Sequence, residues 1–203
     1  MSIVVQPAPA GAFYAGHPVP AMVARLVLLP ARGPWEALAR RVALLSRSRS
    51  VLVVTVRLPR DAARRQLEEA GADLAHVFLL DVAAQPLGAP VADPEHEAMV
   101  PNPSLLELIT ARTAAIVRSK AERPATVVVD DAQTFALYNP AHALVQIVDY
   151  AVNHLLSDGN DLEYVVPPTL ALAKLAPFRD LVPDWRAVLP DGTLGERVAP
   201  AAG

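Results

Sequence analysis

The chain has 203 residues, 53% of them hydrophobic, with a net charge of −3 and no cysteine; this suits one sizeable globular domain and excludes disulfides, thiolate chemistry and cysteine-bound zinc. Its uncharged apolar stretches fall short of the roughly 20 residues that a membrane-spanning helix requires. Residues 1–22 lack a basic leader and are interrupted by Pro7, Pro9, Pro18 and Pro20, so no secretory signal is expected and a cytoplasmic location is the default.

Taken in order, residues 1–22 are rich in alanine and proline and read as an extended arm, with a single domain expected over 23–198 and a tail at 199–203. Arg25–Leu29 is a short apolar run stopped by Pro30, the pattern of a buried strand. A tight loop, Ala31-Arg32-Gly33-Pro34, precedes a helix over Trp35–Ser46, with Leu38, Val42 and Leu45 on one face. Ser50–Val56 is continuous and β-branched, as in a strand covered on both faces of a parallel sheet. A helix is expected over Arg60–Ala70, capped by Gly71, and a third strand over His76–Asp81. The connection Ala83–Pro103 contains five prolines and no periodicity.

The Ser104–Glu107 spacing is that of a capping box, predicting a helix to about Lys120. Thr126–Asp131, Thr-Val-Val-Val-Asp-Asp, is an apolar run that ends in two carboxylates where a buried strand reaches the edge of its sheet. Asn139-Pro140 opens a second long helix, with Leu144, Val145, Val148, Val152, Leu155 and Leu156 at three- and four-residue intervals. Leu162–Val166 is a further strand, and Trp185–Leu189 with Thr193-Leu194 flank an Asp191-Gly192 hairpin turn. Alternating strands and helices imply right-handed crossovers and a mostly parallel sheet between two helical layers, with an antiparallel hairpin at its C-terminal end.

This order, carried by Ser50-Val-Leu-Val-Val-Thr-Val56, Glu69-Ala-Gly-Ala-Asp-Leu-Ala75, His76-Val-Phe-Leu-Leu-Asp81 and Val127-Val-Val-Asp-Asp-Ala-Gln-Thr-Phe-Ala-Leu-Tyr-Asn139, resembles the KaiC-like branch of the RecA superfamily of P-loop ATPases over about residues 25–198. The resemblance implies a RecA-like three-layer α/β sandwich in which the strand ending at Asp130 is the Walker B strand, its aspartate helping to hold Mg²⁺ through water. It also implies a phosphate-binding Walker A loop between the first strand and the first helix. Such a loop needs consecutive backbone amides, a lysine and a magnesium-binding hydroxyl. The equivalent residues, Pro30-Ala31-Arg32-Gly33-Pro34-Trp35-Glu36, contain two prolines, one glycine and a carboxylate, with no lysine, serine or threonine. The chain's two lysines, Lys120 and Lys174, lie elsewhere. The family's catalytic glutamate, expected just after the second strand, is replaced by Arg57 and Leu58. Phosphoryl transfer thus has no evident source of transition-state stabilisation, and the resemblance is to stand-alone KaiC-like domains with a degenerate Walker A loop.

Ten arginines between Arg25 and Arg65 face only Glu36 and Asp61, a local balance of +8 that leaves −11 for the remainder. Such a segment suits a surface for an acidic partner, nucleic acid included, or solvated helix faces. The expected function is a non-catalytic RecA-fold module, a pseudo-ATPase that binds a protein partner or itself in a regulatory or scaffolding role. Arg40, Arg41, Arg60, Arg64 and Arg65 are its candidate partner-binding residues. The alternative is a nucleotide-binding sensor or weak NTPase that uses inherited positions Arg32, Gly33, Asp130 and Asp131, with ATP and Mg²⁺ as cofactors under that reading alone. Two readings of Asp130 stand, a weakened ligand position and a cap for loop amides. Nucleic-acid binding by the +8 segment is a third possibility, disfavoured by the acidic remainder and the lack of interleaved aromatics. Asp93-Pro94-Glu95-His96-Glu97 concentrates three carboxylates and an imidazole without a second histidine at ligand spacing, so no metal site is expected there. Trp35 and Trp185 are expected to be packing anchors, and Asn139 a helix cap.

Overall fold

The computed structural model describes residues 23–82, 96–120, 124–156, 159–168 and 181–198. The N-terminal arm, the C-terminal tail, most of the Ala83–Pro103 connection and residues 93–95 of the Asp93–Glu97 cluster lie outside them. The chain builds β1 (Ala24–Leu28), α1 (Pro34–Ser46), β2 (Ser50–Thr55), α2 (Arg60–Glu69), β3 (Val77–Asp81), β4 (Glu97–Met99), α3 (Leu106–Lys120), β5 (Ala125–Val129), α4 (Ala132–Tyr138), α5 (Ala141–Leu155), β6 (Asp161–Val166), β7 (Asp184–Val188) and β8 (Leu194–Arg197). These form one eight-stranded sheet in the order β4-β3-β2-β5-β6-β1-β7-β8. All neighbouring pairs are parallel except the β7–β8 hairpin. Strand β6 thus separates β1 from β5, and the C-terminal ends of β1, β2 and β5 share one edge.

Two elements were not expected from the sequence. Strand β4 forms inside the proline-rich connection, where Leu79 N–H donates to His96 O and Val100 N–H to Asp81 O. Helix α4 forms directly after β5, because the Asp131 carboxylate accepts from the amides of Gln133 and Thr134 at 2.9 and 3.3 Å and from the Thr134 hydroxyl at 2.8 Å. Asn139 accordingly closes α4 rather than opening α5: its backbone N–H donates to Phe135 O, and its side chain donates to Phe135 O and Pro103 O. The capping box before α3 is replaced by Asn102, whose side chain accepts from Ser104 N–H at 2.8 Å.

The strand side chains separate by parity, as the two-residue period demands. Leu52, Val54, Phe78, Leu80, Val127, Val129, Leu162 and Tyr164 face α3, α4 and α5 in one core. Val51, Val53, Val77, Leu79, Val128 and Val165 face α1 and α2 in the other. Full burial of each such side chain contributes about 1.5–3 kcal/mol. Trp185 is a packing anchor of the first core, with its indole N–H donating to Val182 O at 2.8 Å.

Polar side chains on the α1/α2 face collect at its two ends. At the N-terminal end Glu163 is fully buried, held by Arg41 through Nη2–Oε1 at 2.6 Å and Nε–Oε2 at 3.2 Å, and by Arg25 at 3.3 Å. Arg25 also reaches Asp184 at 3.3 Å, and Arg49 pairs with Asp161 at 3.5 Å while donating to Ala125 O and Gly159 O. Much of the arginine-rich segment is therefore internal wiring. At the far side of α1, Asp191-Gly192 presses the hairpin onto the helix: Arg40 Nη1 donates to Pro190 O at 2.6 Å, and Gly192 has φ +87°.

A Cβ at position 192 would lie 2.6 Å from Arg40 C and Arg41 N, so Gly192→Ala is expected to destabilise the fold by about 1–3 kcal/mol, read as a lower urea midpoint. Glu163→Ala leaves the Arg41 guanidinium without its carboxylate, while Arg25 keeps Asp184 and Asp161, and is expected to cost about 3–5 kcal/mol in the same experiment.

Candidate functional site

The candidate site lies at the C-terminal edge of the sheet, where ligands of open α/β sheets gather. Three polar side chains stand in a row on its α1/α2 face: Asp81 at the end of β3, Thr55 at the end of β2 and Asp130 just past β5. Thr55 and Asp81 are register partners, and Asp130 N–H donates to Val54 O. All three are buried. Asp81 accepts from the backbone N–H of Arg60 at 3.1 Å and so caps α2.

Asp130 is held from both sides of its carboxyl group. Oδ1 accepts from Val56 N–H at 2.8 Å, and Oδ2 lies 3.0 Å from the Thr55 hydroxyl. The same hydroxyl is only 2.6 Å from Leu58 O. A hydroxyl has one proton to give, and the shorter contact directs it to Leu58. The 3.0 Å contact is then satisfied when Asp130 carries a proton on Oδ2 and donates it to Thr55 Oγ1. Burial acts in the same direction, pushing the Asp130 carboxyl up to about 7 against the opposing pull of the Val56 amide and Arg57. Asp130 thus caps the β2–α2 loop, and the two aspartates diverge: Asp131 turns to the amides of α4.

The cation facing these carboxylates is Arg57. Its guanidinium carbon sits 3.5 Å from the centroid of the Trp35 ring, and Nη2 is 3.5 Å from Gln66 Oε1. Burial pulls the Arg57 guanidinium below its ordinary value, while Asp130, Asp131 and Glu36 hold it up. Trp35 packs against the α1/α2-side core, as expected of a packing anchor, and is at the same time a platform for Arg57, which was not expected. The available signal was Arg57 itself, a charge at the end of an otherwise apolar strand run.

The β1–α1 loop is shaped by Gly33, in a left-handed conformation with φ +58° and ψ +46°, and by Pro34 at the first helical position. A Cβ on Gly33 would come within 3.4 Å of Glu36 Oε2, so the exposed Glu36 carboxylate lies beside Gly33 at the start of the helix, without a capping hydrogen bond. That position, in the first turn, is the one where the helix dipole favours an anion. Arg32 is exposed on the loop, and no hydrogen bond or ion pair joins it to Asp130. Of the inherited positions, the structure brings Asp130 and Asp131 to Arg57, not to Arg32.

The candidate partner-binding arginines do not form one surface. Arg41 is spent on buried Glu163, and Arg60 is itself buried against α2, its Nε 3.4 Å from Asp61. Arg40 and Arg65 are exposed and Arg64 is half-buried. Among the described residues no group of three or more His, Asp or Glu side chains could hold a metal ion, and no helix is long and apolar enough to cross a membrane.

No family model matches the sequence, and no curated protein matches it. The fold does have solved counterparts. The KaiC-like protein PH0186 from the hyperthermophilic archaeon Pyrococcus horikoshii OT3 is similar with a TM-score of 0.58 at 11% identity, over 82% of this chain and 70% of that one. An ATPase domain of known structure is similar with a TM-score of 0.52 at 11% identity, over 82% and 69%. A further Pyrococcus horikoshii OT3 protein, PH0250, is similar with a TM-score of 0.55 at 11% identity, over 90% and 94%. At this identity the likeness establishes the fold alone, a RecA-like α/β sandwich similar to that of the KaiC-like protein.

The Asp130 geometry has a pH consequence. In the unfolded chain the carboxyl ionises near pH 4, whereas the fold holds its proton to about pH 7. The folded state binds more protons over that interval, so its stability falls as pH rises from about 4 to 7. Asn at position 130 reproduces the protonated form, accepting from Val56 and donating to Thr55. Asp130→Asn is therefore expected to melt above the wild type at pH 8, with the difference vanishing toward pH 4 in a melting series.

Proposed function

We propose that this chain is a non-hydrolysing member of the RecA fold, a pseudo-ATPase that works by binding another protein. The observation that carries this reading is the Glu36 carboxylate beside Gly33 in the first turn of α1. An anion of the chain's own stands where the fold would seat a phosphate, and it would repel one at close range. Three further features support it. Pro34 has no N–H to donate, the loop has no lysine, and the residue after β2 that would activate water in an ATPase is Arg57, stacked on Trp35. Asp130, its carboxyl pushed up to about 7 by burial and bonded to Thr55 and Val56, is poorly prepared to face a hydrated magnesium ion.

What remains is a rigid scaffold with a charged helical face. Helices α1 and α2 expose Glu36, Arg40, Arg65 and Glu69, and a groove of about 180 Å³ runs between them, lined by Trp35, Arg40, Gln66 and Glu69. A face of mixed charge around an aromatic suits a protein partner better than a nucleic acid, which would favour one sign throughout.

Calorimetric titration with Mg-ATP tests the first half of the reading. No heat is expected at millimolar ligand, and micromolar binding that is lost in Asp130→Ala would overturn it in favour of a nucleotide sensor. The second half is tested by pull-down with the tagged chain. Arg64→Glu together with Arg65→Glu is expected to weaken capture of the co-purifying protein at least tenfold, while unchanged capture would remove α2 from the docking face.

A further inference from the structure

The edge that carries Asp130 holds a side chain whose position is half secured. Arg57 sits over the Trp35 ring, yet its one hydrogen bond among the described residues is a long contact, Nη2 to Gln66 Oε1 at 3.5 Å. Its Nε is buried and has no acceptor among those residues, a donor that has given up water without a replacement. Trp35, Arg57, Gln66 and Asp130 border one space of about 30 Å³. That is large enough for a water molecule and too small for a ligand, so what it admits is a pivot of the guanidinium toward the carboxyl group.

Charged groups stand around Asp130 on several elements. Arg57 follows β2, Glu36 lies in the first turn of α1, Asp131 caps α4 and Asp81 ends β3. Asp81 accepts from Arg60 N–H, and the Arg60 side chain meets Asp61 on α2. Strand β6 and the inner face of α1 contribute apolar groups, Val165, Leu38 and Val42. With its proton in place, Asp130 donates to Thr55 Oγ1 and accepts from Val56 N–H, and needs no contact with Arg57. Once ionised it has no bond to give, and the Thr55 hydroxyl is committed to Leu58 O at 2.6 Å. A buried carboxylate left with a single amide draws the cation beside it.

We propose that Arg57 is a two-position switch governed by the proton on Asp130: over Trp35 when the carboxyl is neutral, and turned into the shared space with Nε toward Asp130 when it is ionised. The second position gives the orphaned Nε its acceptor and uncovers one face of Trp35. Burial sets the operating range, since it pushes the Asp130 carboxyl up to about 7. A local change of charge thus moves one side chain across a packed edge. Trp35 also lines the α1/α2 groove, so the switch would alter that face; this consequence rests on the docking reading above, and the switch itself does not.

The test follows the δ-methylene protons of Arg57 by NMR in the whole chain from about pH 5 to about pH 9. Protons over an indole ring are shifted upfield by its ring current. They are expected to lie upfield at the acid end and to move downfield with a midpoint of about 7. In Asp130→Asn they are expected to stay upfield throughout, whereas a change caused by a titrating histidine would persist. A second arm does not depend on that variant folding: in Arg57→Gln the Asp130 carboxyl carbon is expected to titrate about one pH unit higher, because the ionised form has lost its cation. Arg57 protons that do not move, or that move equally in Asp130→Asn, would overturn the proposal, as would an unchanged Asp130 midpoint in Arg57→Gln. No partner enters these measurements, so their failure is distinct from a failed pull-down.

Discussion

Both faces of a parallel sheet are covered by helices, and this double cover is the constraint from which the rest of the molecule follows. In the middle of the sheet no water reaches a side chain, so an unpaired charge would cost several kcal/mol there. The strands answer with continuous Val and Leu between residues 51 and 54 and continuous Val between 127 and 129. Polar groups are driven to the two ends of the strands. At one end they become the Arg25–Glu163–Arg41 pairing, and at the other the Asp81, Thr55 and Asp130 row.

The two ends solve the same problem in opposite ways. Glu163 is fully buried and is met by two guanidinium groups, one of them in a two-bonded fork. Asp130 is also buried, but its bonding partners are an amide and a hydroxyl whose own proton is directed elsewhere. Burial instead pushes its carboxyl up to about 7. Glu36 beside Gly33 at the start of α1 and Arg57 on Trp35 set further charges of the chain's own at this edge.

The opposite helical layer has no such electrostatic tuning. Its strands present only apolar groups and Tyr164 to α3 and α5, and those helices leave space between them. One fold thus carries a charged, closed edge on one face and an apolar recess on the other. The latter lies between α3 and α5, and Asn139 nearby ties the end of α4 to Pro103.

Periodicity by itself determined the larger elements, because doubly buried strands and amphipathic helices leave repeats of two and of three to four in the chain. β1, β2, β3, β5, β6, the helices α1, α2, α3 and α5, and the hairpin were all legible, as was the loss of the lysine and hydroxyl from the β1–α1 loop. Strand β4 and helix α4 were not, since a three-residue strand has no period to detect and α4 depends on an Asp131 cap that sequence alone could equally assign to a ligand. Nor could composition say which arginines face solvent. Arg41 and Arg65 look alike in a string, yet only the packing of α1 over β6 puts one of them against Glu163. The fate of Asp130 likewise rested on contacts 74 and 75 residues away, at Val56 and Thr55. Such long-range pairings set a side chain's charge, and no local pattern encodes them.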